Sequence, residues 1–322
     1  MDALPIQEQS GENFSSTIDG AMHACGHDLY VAMLVGAARI LSNHRENSSG
    51  DVVFMFQPGD EGWDGAGKMI SEGVLNASGQ RGSSAYGIHV VSDSTPLGTF
   101  TTRPHTMMAS SDELVVSVKG RGGHGSAPHT ARDPIVVAAQ MVGDLQVMIS
   151  RKFNIFDPVV LTVGLFNGGS KSNVIPDEAN FQATLRSFSV EARKNLRLEI
   201  LRLCEGVAQA HGVDIDAEAL EGYPVTVNDP QHAEFMSHVV TDTFGKDAYR
   251  HKVNPVGGSE DFSRVLEEVP GSYIFLGASE DWMNPDLEYN HSPRAGFSDS
   301  VLPIGAQLHA ELAVRALQRD AR

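Results

Sequence analysis

The densest run of potentially reactive residues is His23-Ala24-Cys25-Gly26-His27-Asp28, which sets a thiol, two imidazoles and a carboxylate within six positions. Cys25 and His27, two apart, can converge on one ion from a loop or extended segment, and a thiolate with an imidazole suits zinc or another first-row metal. The hexapeptide has a structural reading as well, with Cys25 a small buried hydrophobe and Asp28 the cap of a following helix. Asp60 and Glu61 are a second candidate. Adjacent carboxylates repel unless water or a cation neutralises them, so one can ligate while the other serves as base. In isolation the same pair also suits a solvated acidic loop. His89 and His291 stand singly, and a lone histidine carries no assignment of its own.

The elements around these residues decide whether they meet. Residues 28 to 42 place apolar side chains at helical spacing, so Cys25 and His27 fall at a helix entrance. DVVFMFQ, residues 51 to 57, reads as a short buried strand ended by Pro58 and Gly59, with Glu61 just beyond its carboxyl end. GAGKMISEGVL suits a helix and SAYGIHVV a further strand that carries His89. This alternation predicts an α/β sheet, whose ligands sit beyond the strand carboxyl ends. Cys25 with His27, Glu61 and His89 then occupy successive junctions of one α/β unit, and His291 lies where the chain returns.

From residue 111 the pattern becomes strand, helix, strand, strand, helix, strand, the order of a split βαβ, ferredoxin-like α+β unit. The expected division is a discontinuous α/β domain over 1–110 and 222–322 enclosing an inserted domain over 111–221. Two domains also suit a length of 322 residues. The formal charge of −17 counts against nucleic-acid phosphates and anionic lipid as partners. No apolar run approaches a membrane span of ~18 residues. Only Cys25 and Cys204 occur, without paired spacing, and the N-terminus lacks a secretory pattern, so a reducing, cytoplasmic setting is expected.

MDALP, MHACGHD, FQPGDEG, GIHV, GRGGHGSAPH, SNVIPDEA, GGSEDF and NHSPR follow one another along the chain. In that order they resemble the dinuclear metal aminoacylase/carboxypeptidase family, and within it the amidohydrolase branch containing hippurate hydrolase and auxin-amide hydrolases. The resemblance covers essentially the whole chain. It implies a catalytic α/β domain with two divalent metal ions (zinc, manganese or cobalt) and a smaller lid domain that often forms a homodimer. By motif position it makes Cys25, His27, Glu61, His89 and His291 the ligands and Asp60 the general base. Asp2 would orient a ligand, and His124 would polarise the substrate carbonyl, often from the partner subunit. Asn173 and Arg186 would meet substrate, Arg186 by pairing with a free carboxylate. The implied reaction is hydrolysis of the amide bond of N-acyl or N-aroyl amino acids by metal-activated water. Glu260 receives no role.

Two departures from the family pattern bear on that expectation. The family has several dozen residues before MDALP, so this sequence reads as N-terminally incomplete. Asp60 stands where the family carries Glu, one methylene longer, which predicts a slower or differently adjusted base. The alternatives are a homologue that binds metal or dimerises without hydrolysis, and a hydrolase using Cys25 as nucleophile; clustered ligand types beside Asp60 and Glu61 favour metal over the latter.

Overall fold

The structure is a computed structural model that describes residues 2–93, 95–284 and 286–320, so Met1 of the MDALP motif lies outside the described residues. The chain begins with α1 (His27–Asn43), α2 (Gly65–Ser71), β1 (Ala85–Val91), β2 (Phe100–Thr102) and β3 (His105–Met108). It continues through β4 (Asp112–Lys119), β5 (Gly123–His124), α3 (Pro134–Lys152), β6 (Val159–Gly168), β7 (Val174–Ile175), β8 (Glu178–Ser187), α4 (Val190–His211) and β9 (Asp214–Glu221). The last part holds β10 (Thr226–Asn228), α5 (Pro230–Phe244), β11 (Tyr249–His251), α6 (Ser263–Glu268), β12 (Gly271–Gly277) and α7 (Leu302–Asp320). Two compact units result: residues 1–107, 226–254 and 261–322 form one, and residues 108–225 with 255–260 form the other.

The first unit is built on a mixed sheet in the order β1-β12-β2-β11. β1 and β12 run parallel, β12 and β2 antiparallel. Along β1 the side chains alternate. Ile88 and Val90 enter a core with Leu29 and Met33 of α1, Met236 and Val239 of α5, and Leu308 and Leu312 of α7. His89 therefore points from the opposite face, flanked there by the rings of Tyr273 and Phe275 from β12 at 6.2 and 5.4 Å.

Two local expectations are corrected. Residues 51–57 form no strand, and Val53 and Phe56 are exposed. Apolar composition supplies the faces of a strand, but a strand exists only where a neighbour accepts its ladder, and none is assigned here. Asp28 does not cap α1. The chain enters that helix through Gly26 in the left-handed region at φ 81, without a side-chain cap, and Asp28 lies exposed within the first turn.

The second unit carries an antiparallel sheet in the order β6-β8-β4-β9, with α3 and α4 as its helices. The elements of this sheet and its helices run β4, α3, β6, β8, α4, β9, and the short strands β5 and β7, which pair with each other, are additional to the order read from residue 111. Phe181 and Leu185 of β8, Leu114 and Val116 of β4, Met141 and Leu145 of α3 and Leu196 and Ile200 of α4 are its core. Asp133 caps α3 by accepting from the Ile135 amide at 3.0 Å, with Pro134 pre-setting the first turn. Among the described residues no helix is long and apolar enough to cross a membrane.

Candidate metal centre

Cys25 and His27 reach the site because Gly26 turns the chain between them. Its φ of 81 suits glycine, and a Cβ there would stand 2.4 Å from the Val90 side chain. The Tyr30 hydroxyl of α1 donates to the Cys25 carbonyl at 3.0 Å, and Asn290 ties the loop to β1 by donating to the carbonyls of Cys25 and Val90 at 3.3 and 3.1 Å. Asn290 also accepts from the Ser92 amide at 2.8 Å. Sequence reasoning missed Asn290, although it stands beside His291 in the NHSPR motif.

The donor atoms of Cys25, Glu61 and His291 lie within 4.8 Å of one another, and so do those of His27, Asp60 and Glu61. Glu61 is common to both groups. His89 Nε2 stands 3.6 Å from the Cys25 sulfur, which joins it to the first. Seven of the residues singled out in the sequence thus gather in the first unit, the seventh being Asp2. Asp60 offers an oxygen to the same point as His27 and Glu61, so its geometry allows ligation as well as proton transfer.

Hydrogen bonds set the two buried imidazoles for ligation. His89 Nδ1 donates to the Val90 carbonyl at 2.6 Å, and His27 Nδ1 lies 3.2 Å from Asp2 Oδ2. Each ring keeps Nε2 for another partner. The same Asp2 oxygen accepts the Glu61 amide at 2.9 Å, so one buried carboxylate fixes residues of two segments. Burial, with His27 adding to it, draws His89 down to about 3. Burial also lowers His27, against the pull of Asp2. Both are therefore neutral near pH 7, the state that binds metal. Burial tends to raise Glu61, but His291, His27 and Cys25 outweigh it and hold the carboxyl below its usual value. His291, at 3.1 Å from Glu61 and largely exposed, is raised by that pairing. Its backbone sits at φ 73, rare for a side-chain-bearing residue, and its amide is tied to the Ala24 carbonyl at 2.8 Å.

The other three candidates lie in the second unit. β5 pairs with β7, and Gly125 donates to the Asn173 carbonyl at 2.9 Å, which sets Asn173, in the turn just before β7, close to His124 on β5. A Cβ at Gly125 would approach the Asn173 backbone to 3.1 Å, one reason for the glycines around His124. The Ser126 amide donates to His124 Nδ1 at 3.2 Å, with the Ser126 hydroxyl at 2.9 Å. An amide can only donate, so the neutral ring carries its proton on Nε2. Arg186 lies half-buried on β8, on the face away from Phe181 and Leu185. Burial lowers its pKa, against the pull of Asp112.

Five donors of sulfur, nitrogen and oxygen type, two neutral buried imidazoles and one carboxylate common to two clusters fit a pair of divalent ions. Such a centre on an α/β sheet defines a metallohydrolase. Residues 1–315 match Peptidase family M20/M25/M40, and the chain belongs to that family. It is 36% identical to thermostable carboxypeptidase 2 of Saccharolobus solfataricus, over 98% of this chain and 78% of that one. Hippurate hydrolase of Campylobacter jejuni is 35% identical, over 99% and 80%. A dinuclear metal binding peptidase of Bacillus subtilis superposes with a TM-score of 0.82 at 32% identity, covering 98% of this chain and 80% of that one. The protein is a metal-dependent amidohydrolase that takes two divalent ions.

Proposed function

We propose that the protein hydrolyses the amide bond of N-acyl or N-aroyl amino acids, giving a carboxylic acid and a free amino acid. The observation that carries this reading is the pair of donor clusters meeting at Glu61 with Asp60 beside it. Cys25, His27, Glu61, His89 and His291 hold the ions, with zinc, manganese and cobalt all suited to the donor set. When bound, the ions polarise a carbonyl and bring the pKa of water near neutrality. Asp60 takes the proton from the attacking water and returns it to the leaving amine. His124, with its proton on Nε2, donates to the oxygen on which negative charge develops. Asn173 contacts substrate, and Arg186, for which no hydrogen bond or ion pair is found among the described residues, pairs with the substrate carboxylate.

Residues 1–110 and 222–322 form the catalytic domain in this reading, and residues 111–221 serve as lid and dimerisation domain. Support for a homodimer comes from β6, an edge strand of its sheet with Val160, Leu165 and Phe166 exposed. Two free cysteines suit a cytoplasmic setting.

The test is a panel of N-acetyl and N-benzoyl amino acids, each beside its carboxamide lacking the free carboxylate, assayed with zinc, manganese or cobalt. Metal-dependent release of the amino acid is expected. Asp60→Ala should cost on the order of 100-fold or more in kcat while keeping both ions. His89→Ala should lose metal with activity. Two bound ions without turnover of any panel member would overturn the substrate assignment.

A further inference from the structure

The segment Gln57–Ala66 carries both Asp60 and Glu61, and residues 57–64 form neither helix nor strand. Gly59, Gly62 and Asp64 all take positive φ, at 74, 90 and 53. Within the segment the Gly62 amide donates to the Asp60 carbonyl at 2.7 Å and the Trp63 amide to the Gly59 carbonyl at 3.1 Å, which shape a turn but do not aim a side chain, and a base and a ligand must be held within a fraction of an ångström. Glu61 has the Asp2 contact on its amide. Asp60 has a different support, which begins 201 residues further on.

Asp261, in the GGSEDF motif, is fully buried. Its amide donates to Asp60 Oδ1 at 2.9 Å. Its own carboxylate accepts the Ala66 amide on Oδ2 at 2.8 Å and the Gln57 side-chain amide on Oδ1. One residue thus touches the first position of the segment, the last, and the carboxylate between them. Arg264, three residues on, adds a bond to Asp64 at 2.7 Å. Burying a carboxyl group is costly, and a core position with no functional demand is better filled by an apolar side chain.

We propose that Asp261 is the positioning residue of the reaction: it clamps both ends of the 57–66 segment and, through its backbone amide, aims the Asp60 carboxylate. Its catalytic consequence rests on the reading of Asp60 as the base. The clamp itself does not.

The test uses the full metal-loaded chain with Asp261→Ala and Asp261→Asn. The Ala variant should lose on the order of 10- to 100-fold in kcat, the cost of a base displaced by about an ångström. KM for the acyl-amino acids should stay within about twofold, and both ions should remain. Asn keeps the shape and one acceptor, and the Gln57 amide can turn to accept from its new NH2 group, so this variant should recover most of the rate. Hydrogen exchange gives a second readout independent of turnover: in the Ala variant the Ala66 amide should exchange about 100-fold faster, with β1 and β12 unchanged. Wild-type kcat together with wild-type protection at Ala66 would overturn the proposal. So would equal loss of protection across β1 and β12, which marks a merely structural residue. If Asp60→Ala itself kept full turnover, the base assignment would fall, and exchange at Ala66 alone would decide whether Asp261 is a clamp.

Discussion

Asp2 uses one oxygen to hold both His27 Nδ1 and the Glu61 amide. Together these contacts fix the tautomer of one candidate ligand and the backbone of another. Asp2→Ala is therefore expected to weaken metal binding by about 10- to 100-fold, the range for lost partners of metal ligands. Asp2→Asn retains an acceptor and should fall between the two. Competition with a chromogenic chelator measures this directly. Unchanged affinity in Asp2→Ala would remove Asp2 from any role at the centre. His89 needs no such partner among acidic side chains, because the Val90 carbonyl already holds its Nδ1 proton.

At the scale of elements, the site depends on how α1 is entered. A side-chain cap would need an extended residue before the helix, whereas Gly26 turns through the left-handed region and brings Cys25 and His27 to one side. Gly26→Ala meets two penalties, an unfavourable φ and a Cβ only 2.4 Å from Val90 Cγ2. It should lower unfolding stability by about 1–3 kcal/mol. Because the relief of that overlap moves the residues on either side, metal affinity should fall too. Denaturant unfolding of the metal-free protein and chelator competition separate the two effects. A Gly26→Ala protein as stable as wild type would show that the turn relaxes without strain.

At the scale of the whole molecule, buried titratable groups set how stability varies with pH. Burial lowers His89 to about 3 and His309, half-buried on α7, to about 4, from an ordinary value of 6.5. Between those values and 6.5 the unfolded chain takes up protons that the native one refuses, so each histidine lowers stability as pH falls. Asp261 acts in the opposite sense. Burial raises it to about 7 from 3.8, so the native chain keeps a proton that the unfolded one releases, and stability is lost as pH rises through that window. Two histidines outweigh one carboxyl, so the metal-free protein should gain stability from pH 4.5 to 6 by about one proton's worth of slope. His309→Leu should flatten that slope, as read from urea midpoints at several pH values. A slope unchanged in that variant would rule out His309 as a source.

Much of this protein is legible in one dimension. Helical and alternating periodicity locates α1, α3, α4, β1, β4 and β8, because burial of one face imposes those periods on the side chains. Cys25 and His27 can be paired from their spacing alone, and the order of eight motifs points to the family. The apolar run at 51–57 shows where such reading stops, since composition cannot report whether a neighbour is there to complete a ladder. The short strands β2 and β11 escaped for the converse reason, their pairing being supplied by partners rather than by any pattern of their own. The meeting of Cys25 with His89, 64 residues on, and of Asp60 with Asp261, 201 residues on, belongs to the tertiary structure. Spacing constrains only neighbours along the chain, whereas these contacts follow from Asn290 joining the Cys25 carbonyl to that of Val90 on β1 and from Asp261 pinning both ends of the segment that carries Asp60.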